Sequence, residues 1–166
     1  MQPSFNPAAA GKSPKLNITG TYAMSLAGFE NAPQTAFISG DMPFVALKNI
    51  HGAGLQLMSD KLGLFSHQRI SLQYALRKRL GGGWLSVGVQ PGIITEKFNG
   101  SSVDLNDDSD PVFSKSDING NAFDLGVGIY YSRNNWYAGI SAQHLTAPTV
   151  LLGETNELKI DGTYYL

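Results

Sequence analysis

No cysteine occurs anywhere in the chain. That excludes disulfides and thiolate metal sites, and it leaves the compartment open, since an exported barrel without disulfides has the same composition. Charge is scarce as well: 15% of the 166 residues are charged, against about 25% in an average soluble domain, too few to coat a soluble surface of this size. The formal net charge of −1 gives no basic footprint, which sets nucleic acid aside as a partner. Apolar runs long enough for a membrane helix, about 18 residues, are missing. The first residues, MQPSFNPAAAGK, lack the charged region followed by an apolar stretch that marks an export signal. No segment shows a helical period. The enzyme signatures GxSxG, HExxH, the P-loop and GxGxxG are all absent, and His51, His67 and His144 are scattered over different segments, so the residues give no catalytic constellation and no cofactor site.

What the chain does have is alternation. From Asn121 to Leu145 it reads NAFDLGVGIYYSRNNWYAGISAQHL, two arms around a short polar turn. Successive strand side chains point to opposite faces. Phe123, Leu125, Val127, Ile129 and Tyr131 therefore share one face, and Asp124, Gly126, Gly128 and Tyr130 the other. On the second arm Trp136, Ala138, Ile140 and Ala142 oppose Tyr137, Gly139, Ser141 and Gln143. Similar segments recur: Leu16 to Met24, a weaker one from Gln34 to Asp41, then Ala53, Leu55 and Leu57. Ile70, Leu72, Tyr74 and Leu76 face away from Arg69, Gln73 and Arg77, and Leu85, Val87, Val89 and Ile93 face away from Ser86, Gly88, Gln90 and Gly92. With Glu157 to Leu166 the pattern predicts about eight strands.

Strands apolar on one face and small or polar on the other predict an all-β, antiparallel transmembrane β-barrel whose outer wall meets lipid. Glycine and serine on the lumen face leave room for a plug, a neighbouring wall or water. The same alternation fits a soluble β-sandwich or lipocalin-like barrel, with core and surface in place of lipid and lumen. Aromatics beside the turns (Trp84, Phe98, Tyr130, Tyr131, Trp136, Tyr137) favour the membrane, as an interfacial girdle does. So do connections that alternate between short and long. Arg77–Gly83 and Ser132–Asn135 are short, and a long acidic loop at 96–120 lies between them. That parity places the loop outside the cell and residues 1–14 in the periplasm. The lumen-facing residues would be Arg69, Gln73, Arg77 and Asp124. In the acidic loop Asp104, Asn106, Asp108 and Asp110 sit at alternate positions where hard oxygens could wrap calcium. Ser109 replaces the turn glycine and Lys115 the bidentate glutamate of an EF-hand, so a solvated acidic loop is the favoured reading.

Several stretches together resemble a known family. FNPAAAG (Phe5–Gly11), HGAGLQLMSDKLG (His51–Gly63), ISLQYALRKRLGGGWLSVGVQPG (Ile70–Gly92), DDSDPVF (Asp107–Phe113) and DLGVGIYYSRNNWYAGISAQHL (Asp124–Leu145) occur in the order seen in the PorP/SprF family of type IX secretion membrane proteins. The resemblance implies an outer-membrane barrel without catalysis, associated with type IX secretion and gliding motility. Its implied partners are outer-membrane lipid, secretion-machinery proteins and secreted adhesin-like substrates. Family members are about twice as long, so residues 1–166 would form the N-terminal portion of a single, larger barrel. A general outer-membrane channel for small solutes, or a soluble ligand-binding barrel, are the other functions such a wall could serve. Pro91 departs from the pattern and predicts a bulge or an exposed edge.

Overall fold

The computed structural model describes residues 2–26, 28–29, 32–100, 118–152 and 156–166. A short helix α1 (Gln2–Phe5) and a 3₁₀ turn (Pro7–Ala9) precede β1 (Asn17–Met24), β2 (Gln34–Ala46), β3 (Asn49–Leu62), β4 (Phe65–Leu80), β5 (Gly83–Phe98), β6 (Ile118–Arg133), β7 (Trp136–Gln143), β8 (Thr149–Leu152), β9 (Asn156–Lys159) and β10 (Thr163–Tyr165). Eight strands form one antiparallel sheet in the order β1-β2-β3-β4-β5-β6-β7-β10, an up-and-down meander with β1 and β10 at separate edges. The sheet is curled into a half-barrel. Thr21 and Phe37 near one edge line the same cavity as Gln143 and Tyr165 at the other.

The alternation sorts side chains as lipid and lumen would. Leu72 is 60% exposed, Ile93 57% and Phe123 57%, while Gln56 is 1% exposed, Ser86 2% and Gln90 4%. A soluble protein does the reverse, because transfer of apolar surface out of water is its main stabilising term. The outward apolar rows run Ile70–Leu76 on β4, Leu85–Ile93 on β5 and Phe123–Tyr131 on β6. They are bounded by polar residues: Gln68 and Lys78, Thr95, then Asn121 and Arg133. The rows on β5 and β6 each span nine residues, the length with which a tilted strand crosses hydrocarbon.

Turn chemistry fixes the register. Two-residue connections join β2 to β3, β3 to β4, β4 to β5 and β6 to β7. Gly81 and Gly82 take φ of 58° and 79°, and Asn134 takes 50°. These left-handed values suit primed hairpin turns, which glycine and asparagine adopt at least cost. The strands also reach into the stretch 96–120, where Glu96, Lys97 and Phe98 pair with Gly120, Asn119 and Ile118. The connection proper is therefore 99–117.

Two expectations are corrected. Pro91 lies in β5, a central strand, with neither a bulge nor a free edge. The β4–β5 ladder omits the pairs opposite Gln90 and Pro91 and resumes in unchanged register from Ser71↔Gly92 to Tyr74↔Val89. The missing donor is absorbed by a gap in one ladder while Pro91↔Leu125 pairing with β6 continues. The stretch Glu157–Leu166 is likewise not one strand. Its first part, β9, pairs with β8 in a separate two-stranded sheet, and β10 returns to pair with β7. Strand β8 packs on β5 and β6, where Val150 and Ile94 are completely buried.

Candidate functional site

The register aligns the smallest residues of the inner face at one level. Gly52 of β3 lies opposite Ala75 of β4, Ala75 opposite Gly88 of β5, Gly88 opposite Gly128 of β6, and Gly128 opposite Ser141 of β7. Five adjacent strands thus carry a belt with almost no side-chain volume. The chain's own N-terminal segment fills it. A Cβ at Gly52 would collide with the carbonyl of Ala10, one at Gly88 with the backbone of Ala8, and one at Gly128 with the side chain of Asn6. Ala8, Ala9 and Ala10 are 2%, 1% and 5% exposed.

Below the belt is a layer of amides that holds the segment by its main chain. Gln56 and Gln73 both donate to the Pro3 carbonyl, at 3.0 and 2.6 Å. Ser141 donates to Phe5 O at 2.7 Å, and Gln143 to Ser4 O and Phe5 O at 3.2 and 3.3 Å. Gln90 ties the layer together, donating to Gln56 Oε1 (3.2 Å) and Ser71 Oγ (2.9 Å) and accepting from Gln73 (3.1 Å). Buried amides are tolerable only when partnered in this way.

Asn6 is the pivot of the segment. Its Oδ1 accepts from Ala8 N at 2.9 Å, capping the 3₁₀ turn, and its Nδ2 donates to the carbonyls of Ile129 (3.1 Å) and Ile140 (3.2 Å) on two wall strands. Gly11 leaves the turn at φ 67°, a conformation glycine adopts without strain, and its N–H donates to Asp41 Oδ2 at 2.8 Å. Arg77 donates to Lys12 O at 3.2 Å, and Lys12 Nζ donates to Tyr130 OH while lying 4.8 and 4.9 Å from the rings of Tyr130 and Tyr137. Of the aromatics beside the turn between β6 and β7, Tyr131 and Trp136 face outward and pack together with centroids 5.4 Å apart, whereas Tyr130 and Tyr137 face inward and hold Lys12.

Arg69, Gln73, Arg77 and Asp124 therefore all lie on the inner face, in two groups. Gln73 and Arg77 touch the N-terminal segment. Arg69 and Asp124 belong to a charged cluster at the other end of the wall. There Arg69 donates to Gln143 at 3.3 Å, His144 Nδ1 lies 3.1 Å from Asp124 Oδ2, and His67 pairs with Glu96. Beside this cluster the inner face holds a cavity of ≈ 460 Å³ lined by Phe5, Phe37, Met58, Arg69, His144 and Tyr165. His51 is on the outer face, where its ring lies between Phe44 and Tyr74 and both nitrogens are partnered, by Tyr74 OH at 2.7 Å and Ala46 O at 2.9 Å. The calcium candidates Asp104, Asn106, Asp108 and Asp110 lie outside the described residues. Among the described residues no group of three or more histidine or carboxylate side chains could hold a metal ion.

A curled antiparallel wall, apolar outward in a band of membrane-crossing length and polar inward around a filled lumen face, defines an outer-membrane β-barrel protein. The chain belongs to a particular family of that class: the family model for the type IX secretion system membrane protein PorP/SprF matches residues 2–166. Comparison with curated proteins and with solved structures finds no match. The protein is thus an outer-membrane component of type IX secretion.

Proposed function

We propose that the protein assists export or surface attachment of large, adhesin-like secreted proteins within the type IX secretion and gliding machinery, offering its loops and inner wall to protein partners. The observation that supports this reading is the inner wall itself. Its belt and amide layer match a polypeptide main chain, whereas a general solute channel would keep that face open to water. In this reading outer-membrane lipid contacts the rows from Ile70 to Leu76 and Phe123 to Tyr131, Arg69, Gln73, Arg77 and Asp124 face the lumen, the loop at 96–120 lies outside the cell, and residues 1–14 enter the lumen from the periplasmic side.

Deleting the gene in the producing cell and measuring surface-bound against released adhesin tests the function. Loss of surface adhesin with unchanged uptake of small solutes is the expected result, and slowed solute uptake with normal adhesin display would favour the channel. For orientation, cysteines at Ser102 and Asn134 are labelled on intact cells with an impermeant maleimide. Ser102 is expected to react and Asn134 to stay protected, and labelling at Asn134 alone would reverse the topology.

A further inference from the structure

The contacts between residues 3–12 and the wall are directed mostly at main chain. Gln56, Gln73, Gln143, Ser141, Arg77 and Asp41 bind the carbonyls of Pro3, Ser4, Phe5 and Lys12 and the N–H of Gly11. These groups exist in any peptide. Side-chain recognition is concentrated at the Asn6-Pro7 step and at Lys12, and the alanines between them are admitted because glycines face them from the belt. The chain connecting the segment to β1, Pro14–Leu16, is exposed. Each of these hydrogen bonds nets little free energy, since water replaces it on departure.

We infer that the inner wall from β3 to β7 is a peptide-binding groove and that the N-terminal segment is its exchangeable occupant. The ligand class it takes is a short peptide with an Asn-Pro step followed by small residues. A protein partner carrying such a stretch displaces the resident segment. The source of that partner rests on the function proposed above; the affinity of the groove for a peptide does not.

A protease site inserted between Pro14 and Lys15 allows the protein to fold with its segment in place and be cut afterwards, so the parent wall never has to assemble with an empty groove. A fluorescein-labelled peptide of residues 2–14 is then added to the cut protein in detergent and followed by anisotropy, with heat-modifiability on gels reporting the fold. Saturable exchange, reversed by unlabelled peptide, is expected. A peptide with Asn6→Ala should compete about tenfold more weakly, through loss of the cap on Ala8 and of the hydrogen bonds to two wall strands. Gly88→Val in the wall should abolish exchange. Retention of the cut segment with no uptake of label, or unfolding of the wall when the segment leaves, would make residues 3–12 a fixed structural part and overturn the inference. Unchanged binding to the Gly88→Val wall would overturn it too. The adhesin display assay is independent of all these outcomes, so failure of the groove and failure of the secretion role are told apart.

Discussion

Ala8 lies directly over Gly88, with its backbone nitrogen where any side chain at position 88 would begin. The contact joins the N-terminal segment to the middle of β5, and backbone atoms on both sides leave no flexible end to yield. Gly88→Val therefore costs about 3 kcal/mol of docking, the upper end of overpacking penalties. Faster trypsin cleavage after Lys12 and Lys15 in the folded barrel checks this. Gly126→Ala is the control on the same face, since its Cβ meets nothing nearer than 3.5 Å, and cleavage should stay at the parent rate.

Asn6→Ala removes the cap on Ala8 and both donors to the wall carbonyls. Loss of the cap on Ala8, together with two exposed hydrogen bonds that water can replace, costs about 0.5–2 kcal/mol. Amide exchange at Ala8 and Ala9 should accelerate accordingly while protection in β4 and β5 is kept. Asn6→Asp retains the acceptor for Ala8 but turns a carboxylate oxygen, which can only accept, toward the two wall carbonyls, and should loosen the segment at least as much as Asn6→Ala.

On the outer face, charge should be expensive. Arg at Leu72 or Ile93 sits in the middle of an apolar row, where a cation facing hydrocarbon costs about 2–4 kcal/mol. Reduced assembly in a heat-modifiability assay is the expected outcome. Thr19→Arg points into an open part of the inner face lined by Ser39 and Asp41, and should assemble normally. Equal damage from all three would mean that the faces do not differ in solvent.

The turn between β2 and β3 is strained. Leu47 and Lys48 take φ of 50° and 62°, in a left-handed region that costs an ordinary L-residue about 1–2 kcal/mol. Replacing the pair with Asn-Gly, which suits a two-residue primed turn, should raise the urea midpoint of the refolded barrel with no change in topology. A lowered midpoint would show that Leu47 or Lys48 makes a contact worth more than the strain.

The division into outer and inner faces was legible in the sequence because it needs only a period of two. Leu72 and Gln73 fall on opposite sides whatever their neighbours are. The belt was not legible, because it depends on which residue of one strand meets which residue of the next. Gly52, Ala75, Gly88 and Gly128 lie far apart in sequence and become one surface only through strand register, set by two-residue turns from β3 to β5 and by the β5–β6 ladder across a long connection. FNPAAAG showed as a motif, but a 3₁₀ turn of three residues (Pro7–Ala9) has no periodicity to reveal where it docks. Gln73 and Ser86 read as open lumen positions; Gln73 grips Pro3 and Ser86 is fully covered. The break between β9 and β10 did leave a trace, the Asp161-Gly162 turn signal, where Ile160 N–H donates to Pro148 O at 3.0 Å. Pro91 misled because the edge-or-bulge rule describes a proline's usual place, and here two omitted ladder pairs accommodate it.

The belt also sets the order of events in assembly. The segment at residues 3–12 touches β2 through Asp41, β3 and β4 through Gln56 and Gln73, β5 and β6 through Gly88 and Gly128, and β7 through Ser141. Its bonds to β6 and β7 close loops of 123 to 139 residues, and contacts so distant in sequence form late because the chain entropy must be given up first. A strand pairing shifted by one residue would put a side chain in the belt and leave the segment no place to lie. Seating of residues 3–12 therefore proofreads the wall, because the segment settles only on strands already in correct alignment.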